Sequence, residues 1–230
     1  MRISVIGCGY LGAVHAACMA KLGHEVVGID VDARKIADLS AARAPFYEPG
    51  LEALLEDVQE TGRLSFTTDM AAAAGSDVHF ICVGTPQKKG ENGADMTYVG
   101  AATIGLVPYL APGGLRVGKS TVPVGTAARL STVIKEHQPD AHLVWNPEFL
   151  REGHAVDDTL HPDRFVYGVS DGSEEHSAVA VLDEVYAAPL ASGTPRLVTD
   201  LPTAELVKTA ANSFLATKIS FINEIANLCD

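Results

Sequence analysis

Gly7-Cys8-Gly9-Tyr10-Leu11-Gly12 follows directly on the apolar run Ile3–Ile6 and leads into a helical pattern from Leu11 to Leu22. Glycines at this spacing, between a strand and a helix, have separate duties. Gly7 makes the tight turn, Gly9 lets backbone approach a diphosphate, and Gly12 lets the helix lie close on the strand. The helix start adds unpaired amides and a positive dipole end, which together suit phosphate. The next strand, Val26–Ile29, ends in Asp30, eighteen residues after Gly12, where a carboxylate accepts hydrogen bonds from ribose hydroxyls. The bland alternative is a glycine-rich turn with Asp30 as a strand-end cap. Asp30 repels a 2′-phosphate and no arginine follows it immediately, so the cofactor expected is NAD rather than NADP. Lys35 either reaches the ribose or phosphate or is an ordinary solvated helix charge.

The rest of the chain repeats the alternation. Strands are expected at Ile3–Ile6, Val26–Ile29, Leu64–Thr67, Val78–Val83, Leu115–Gly118, Leu143–Trp145, Phe165–Tyr167 and Arg196–Val198. Helices are expected near Leu11–Leu22, Ala33–Ala42, Gly50–Glu60, Ala71–Ala74, Tyr98–Leu110, Thr126–Glu136 and Ser173–Tyr186. The first, second, fourth and fifth strands are nearly continuous apolar runs, as strands covered on both faces must be. The pattern predicts an α/β, Rossmann-like, doubly wound and mainly parallel sheet over residues 1–200. After Asp200-Leu201-Pro202-Thr203 no glycine or proline occurs. Val207, Ala211, Phe214, Phe221, Ile222, Ile225 and Cys229 recur at helical spacing, so residues 201–230 read as one long amphipathic helix, capped by Asp200 or Thr203. No stop signal ends it, which suggests a helix leading into a missing domain.

Composition removes several classes of function. A formal charge of −12 repels phosphate backbones, so no nucleic-acid partner is expected. No apolar run reaches the length of a membrane span, and the start lacks a signal peptide's apolar core, so no membrane association is expected. Cys8, Cys18, Cys82 and Cys229 are scattered without CxxC spacing, which points to free thiols in a reducing cytoplasm. The eight histidines are dispersed, and no metal site is expected.

Polar groups gather where strands end: Gly84-Thr85-Pro86, Lys119-Ser120-Thr121-Val122-Pro123-Val124-Gly125, and Asn146-Pro147-Glu148-Phe149-Leu150-Arg151-Glu152-Gly153. In open α/β sheets such loops converge on one crevice. Asn146 and Pro147 read as a helix cap and first residue, which would put Glu148 and Glu152 on one face, a turn apart. Lys208 and Asn212 repeat that spacing on the long helix. Each has a plainer reading. Glu148 and Arg151 make a surface ion pair at i,i+3, Lys208 is a solvated helix lysine, and Thr121 is an N-cap for the helix after Pro123.

GCGYLG, the strand-end Asp30, VGTP, KSTVPVG, NPEFLREG, HPDRFVYG and ELVKTAANSFLATKISFINEIANLC, in that order, resemble the UDP-glucose/GDP-mannose dehydrogenase family over essentially the whole chain. NPEFLREG followed by HPDR is closest to its UDP-glucose branch. The resemblance implies a four-electron oxidation, UDP-glucose to UDP-glucuronate with two NAD, through an aldehyde, a cysteine-bound thiohemiacetal and a thioester, in the service of polysaccharide biosynthesis. It implies that Lys208 stabilises negative charge at the sugar carbon and that Asn212 orients substrate or water. Thr121 and Glu148 would position or activate the hydrolytic water, with Glu152 near nicotinamide and sugar. Glu148, Phe149, Leu150, Arg151, Glu152, Lys208 and Asn212 would contact the nucleotide sugar. Gly7, Gly9, Tyr10, Leu11, Gly12, Asp30, Lys35, Thr85, Thr121 and Glu152 would line the NAD site. It also implies a homodimer through the 201–230 helix.

One departure matters. The family nucleophile is a cysteine in a glycine-rich segment beyond the long helix, and none of the four cysteines here matches it. The expectation is a chain that binds NAD and does not complete the reaction by itself. The alternatives are a GDP-mannose or other nucleotide-sugar 6-dehydrogenase, a β-hydroxyacid dehydrogenase making a single hydride transfer, and a non-catalytic NAD-sensing module.

Overall fold

The computed structural model describes residues 1–111, 113–170 and 174–229. All eight expected strands form: β1 (Arg2–Ile6), β2 (Glu25–Ile29), β3 (Leu64–Thr67), β4 (Val78–Ile81), β5 (Leu115–Gly118), β6 (His142–Trp145), β7 (Phe165–Val169) and β8 (Arg196–Asp200). They make one sheet in the order β3-β2-β1-β4-β5-β6-β7-β8. The first six are parallel; β7 runs antiparallel to β6, and β8 parallel to β7. The reversal follows from the connection. Between β6 and β7 the one helix is the six-residue α6 (Ala155–Leu160), the chain does not recross the sheet, and β7 starts where β6 ends.

The helices of the first half are α1 (Tyr10–Lys21), α2 (Ala33–Ser40), α3 (Leu51–Glu60) and α4 (Thr97–Leu106). Those of the second half are α5 (Thr126–His137), α7 (Glu174–Val185), α8 (Ala187–Ala191) and α9 (Leu201–Cys229). The short helix expected at Ala71–Ala74 is a 3-10 turn over Met70–Ala73. The stretch expected to be helical to Leu110 tightens to a 3-10 turn at Val107–Tyr109, where Pro108 enters. Ser173, the expected start of α7, lies outside the described residues. Helices α6 and α8 were not expected.

Strand side chains alternate between the two faces, as a pleat requires. Ile3, Val5 and Val144 pack with α1, α3, α6 and α7. Leu143 and Trp145 pack with α5 and the start of α9, and Ile6 and Ile81 with α4. Helix α1 is buried from Gly12 to Ala20; its small residues let it lie against the sheet with other helices over it. Asp200 caps α9 by accepting from Thr203 N at 2.6 Å. At 1.5 Å per residue the helix is about 44 Å long. It crosses the sheet, then runs on exposed: Phe214, Leu215, Ile219, Phe221, Ile222 and Leu228 are each more than half exposed.

Candidate functional site

The order of strands reverses between β1 and β4, the position at which open α/β sheets bind ligands. A crevice of about 580 Å³ opens there, lined by Gly7 and Gly9 after β1, Asp30 and Val31 after β2, Lys35, Val83 and Gly84 after β4, and Tyr98, Ala101 and Ala102 of α4. The glycines are needed where expected. Gly7 has φ +90°, and a Cβ there would lie 2.7 Å from Val83 Cγ1. A Cβ on Gly12 would sit 1.8 Å from Gly7 O, so any larger residue would push α1 off the turn. No side chain caps α1 and its first turn carries no acid, which leaves its leading amides for an anion.

Asp30 organises the floor. Its carboxylate accepts from Cys8 N at 2.8 Å and Asp32 N at 3.0 Å, and pairs with Lys35 Nζ at 2.7 Å. Lys35 is therefore part of this crevice, held at the strand tip. Thr85 sits beside it in a different role: its hydroxyl donates to Thr121 O at 2.7 Å, while Ser120 Oγ donates to Val83 O at 2.7 Å. These bonds stitch the loops after β4 and β5 together and hold Thr121 against the loop that carries Thr85.

Lys208 and Glu148 meet. Lys208 Nζ lies 2.8 Å from Glu148 Oε1, with side-chain exposures of 8% and 18%, and Leu150 N donates to Glu148 Oε2 at 2.5 Å. The Phe149 ring lies beneath two cations, 5.7 Å from Lys208 Nζ and 4.2 Å from Arg164 Cζ; such contacts favour a fixed loop. Arg164 precedes β7, whose reversed direction puts the HPDR segment at this same edge. A second cavity, about 140 Å³, lies under the loop and is lined by Leu11, Glu148, Phe149, Leu150 and Arg151 among others.

Several expectations fail locally. Asn146 and Pro147 do not start a helix: residues 146–151 are irregular, a turn falls at 152–153, and α6 begins at Ala155. The cause is burial. Asn146 is 1% exposed, accepts from Lys119 Nζ at 3.0 Å and Tyr186 Oη at 2.8 Å, and donates to Val166 O at 3.0 Å. An amide committed to three distant partners cannot cap its own chain. Glu148 and Glu152 consequently share no helix face, and Glu152 is exposed. Arg151 pairs with Asp158 at 2.5 Å instead of Glu148. Thr121 is not the N-cap of α5, which starts after Gly125. Asn212 stands one turn beyond Lys208 on α9, exposed.

Three residues with defined work here were not foreseen. Lys119 is 7% exposed, its pKa lowered to about 8 by burial; a cation closing an apolar strand was its signal. Glu205, 1% exposed, reaches from α9 to accept from Gly125 N and Ala127 N, both at 2.6 Å, and so caps α5; an acid beside Ala204 on the buried side of the helix was the hint. Glu48, buried in Tyr47-Glu48-Pro49-Gly50, gave only an acid before a turn.

Burial pushes the Cys8 thiol up strongly and those of Cys18 and Cys82 to about 12. Thiols held protonated and covered are poor nucleophiles. Cys229 is exposed at the far end of α9. Among the described residues no cluster suits a metal, and no helix is long and apolar enough to cross a membrane.

The model for the UDP-glucose/GDP-mannose dehydrogenase family, NAD binding domain, matches residues 1–189, and that for the family's central domain matches 202–230. The UDP-glucose 6-dehydrogenase of Rhizobium meliloti is 47% identical over all of this chain and 53% of its own length. A UDP-glucose dehydrogenase structure from Pyrobaculum islandicum superposes with TM-score 0.88 at 42% identity, over 97% of this chain and 52% of that one. A GDP-mannose dehydrogenase structure from Pseudomonas aeruginosa gives 0.89 at 37%, over 97% and 52%. The chain thus spans about half the length of the relatives it matches.

Proposed function

This chain belongs to the UDP-glucose/GDP-mannose dehydrogenase family, residues 1–189 being its NAD binding domain, and from that premise we propose that it serves the oxidation of UDP-glucose to UDP-glucuronate. The observation that carries the reading is the contact of Lys208 with Glu148 at the carboxyl edge of the sheet, next to a crevice fit for a dinucleotide. In this reading the amides at the start of α1 hold the diphosphate and Asp30 holds the adenosine ribose. NAD, when bound, supplies the hydride acceptor.

The ammonium of Lys208 has three donors, and Glu148 engages one. The others are free to meet the oxygen on the sugar carbon as negative charge develops. Glu148 serves as counter-ion and, once the carbon is at the acyl level, takes a proton from water. Thr121 orients that water, Asn212 the sugar, and Glu152 the nicotinamide side of the substrate, with contacts from Phe149, Leu150 and Arg151. The acyl step needs a thiolate, and the covered cysteines of this chain do not offer one. NAD binding without sustained turnover is therefore proposed for the chain alone.

The exposed apolar stripe of α9 is read as the contact with a second copy; light scattering at high concentration should give a dimer, and a clean monomer would count against it. The free thiols fit a reducing, cytoplasmic setting. The fit to the Pseudomonas structure favours GDP-mannose as the second substrate reading. The test is a chimera in which this chain replaces the matching half of the Rhizobium enzyme. Two NADH per UDP-glucose are expected, with a loss of about 100-fold or more in Lys208→Ala. Turnover of GDP-mannose alone, or undiminished activity in Lys208→Ala, would refute the reading.

A further inference from the structure

Glu48 is a carboxylate, 6% exposed, that no ion pair neutralises among the described residues. Four donors from two distant segments converge on it. Oε1 accepts from Ala155 N at 2.8 Å and Val156 N at 3.4 Å. Oε2 accepts from Gly153 N at 2.9 Å and from the hydroxyl of Tyr10. Gly153 N also donates to Tyr10 Oη at 3.2 Å. Burying a charge on such terms is costly unless hydrogen bonds replace water, and here every replacement joins one of two places. Tyr10 is the first residue of α1, inside the glycine turn. Gly153 follows Glu152 in the turn, and Ala155 and Val156 open α6. Phe46 meets the Tyr10 ring edge-on at 5.0 Å, so the segment that brings Glu48 also fixes the ring whose hydroxyl it binds. Burial, and after it the hydrogen bond to Glu48, raises Tyr10 to about 12, and the phenol remains the donor at physiological pH.

We propose that Glu48, through Tyr10, is a positioning residue that couples the cofactor turn to the Glu152 loop, so that an occupied cofactor site stiffens the segment from Gly153 to Val156. The inference rests on the NAD reading above and goes beyond it. A bound diphosphate restrains the backbone of Gly9 and Tyr10, and restraint passes from the Tyr10 hydroxyl to Oε2, hence to the amides that set the direction of Glu152. Sites joined in this way change one another's affinity reciprocally, typically by about 5- to 150-fold.

The test is amide hydrogen exchange on this chain with and without saturating NAD, in wild type, Tyr10→Phe and Glu48→Gln. In wild type NAD should slow exchange at Gly153, Ala155 and Val156 by about 5-fold or more. Tyr10→Phe keeps the ring and removes only the donor. Because the diphosphate is read on backbone amides, which the substitution leaves in place, it should retain NAD-dependent protection at Gly9, position 10 and Leu11 while losing that at 153–156. Glu48→Gln, with one acceptor oxygen fewer, should also raise exchange at Gly153 without NAD. Protection of the turn with none at 153–156 in wild type would overturn the coupling and leave the cofactor reading standing. Equal protection at 153–156 in wild type and Tyr10→Phe would overturn it too. No protection at either place in wild type would overturn both.

Discussion

Lys208 of α9 donates to Glu148 of the loop after β6 across 2.8 Å, a contact between residues sixty positions apart. It ties the helix that leaves the sheet to the loop that lies over it. Removing one partner leaves a largely buried charge alone. Lys208→Met should lower the unfolding free energy by about 3 kcal/mol, and Glu148→Gln added to it should cost much less than Glu148→Gln in wild type. Urea unfolding of the four proteins measures the coupling; strictly additive losses would show that the contact contributes nothing.

Glu205 makes a second connection from α9, to the start of α5. Glu205→Ala strips Gly125 N and Ala127 N of their acceptor. A cost of about 2–4 kcal/mol is expected for two uncovered amides, with faster exchange at those positions. A change below about 0.5 kcal/mol, within the range of ordinary surface substitutions, would mean that water replaces the carboxylate.

Acid should weaken the fold through buried histidine. Burial holds His79 at about 4 against its ordinary 6.5, and it stays neutral beside Ser4 Oγ, 2.7 Å away. Below 6.5 the unfolded chain takes up a proton that the folded chain refuses until about pH 4. Stability is therefore lost as pH falls through that window. Burial lowers His15 and His24 in the same sense. Unfolding free energy measured from pH 7 to 4 should fall less steeply in His79→Gln, and equal slopes would contradict the assignment.

A disulfide-exchange reagent should find one fast thiol, Cys229, in the native chain and four after denaturation. Rapid modification of Cys8, Cys18 or Cys82 would show that a buried thiol is reachable, and would reopen the question of a nucleophile within the chain.

The frame was legible from local chemistry. Glycines at 7, 9 and 12, an acid at a strand tip and continuous apolar strands each carry a steric or desolvation reason of their own. What was illegible depends on distant partners. Asn146 looks like a cap until Lys119 and Tyr186 are seen to claim its amide. Helix α6 is six residues long, with no period to read, and its leading amides are satisfied by Glu48, more than a hundred positions earlier. The expected shared face of Glu148 and Glu152 failed with that helix start. By spacing Lys208 reads as a surface lysine, the family resemblance alone singles it out, and the fold buries it.

Calorimetric titration of the chain with NAD and NADP reaches the central claim with least intervening assumption. Saturable binding of one NAD is expected, with NADP weaker by about tenfold or more because its 2′-phosphate would face Asp30. The preference should vanish in Asp30→Ala. Absence of NAD binding, or an equal grip on both dinucleotides by the wild-type chain, would contradict it.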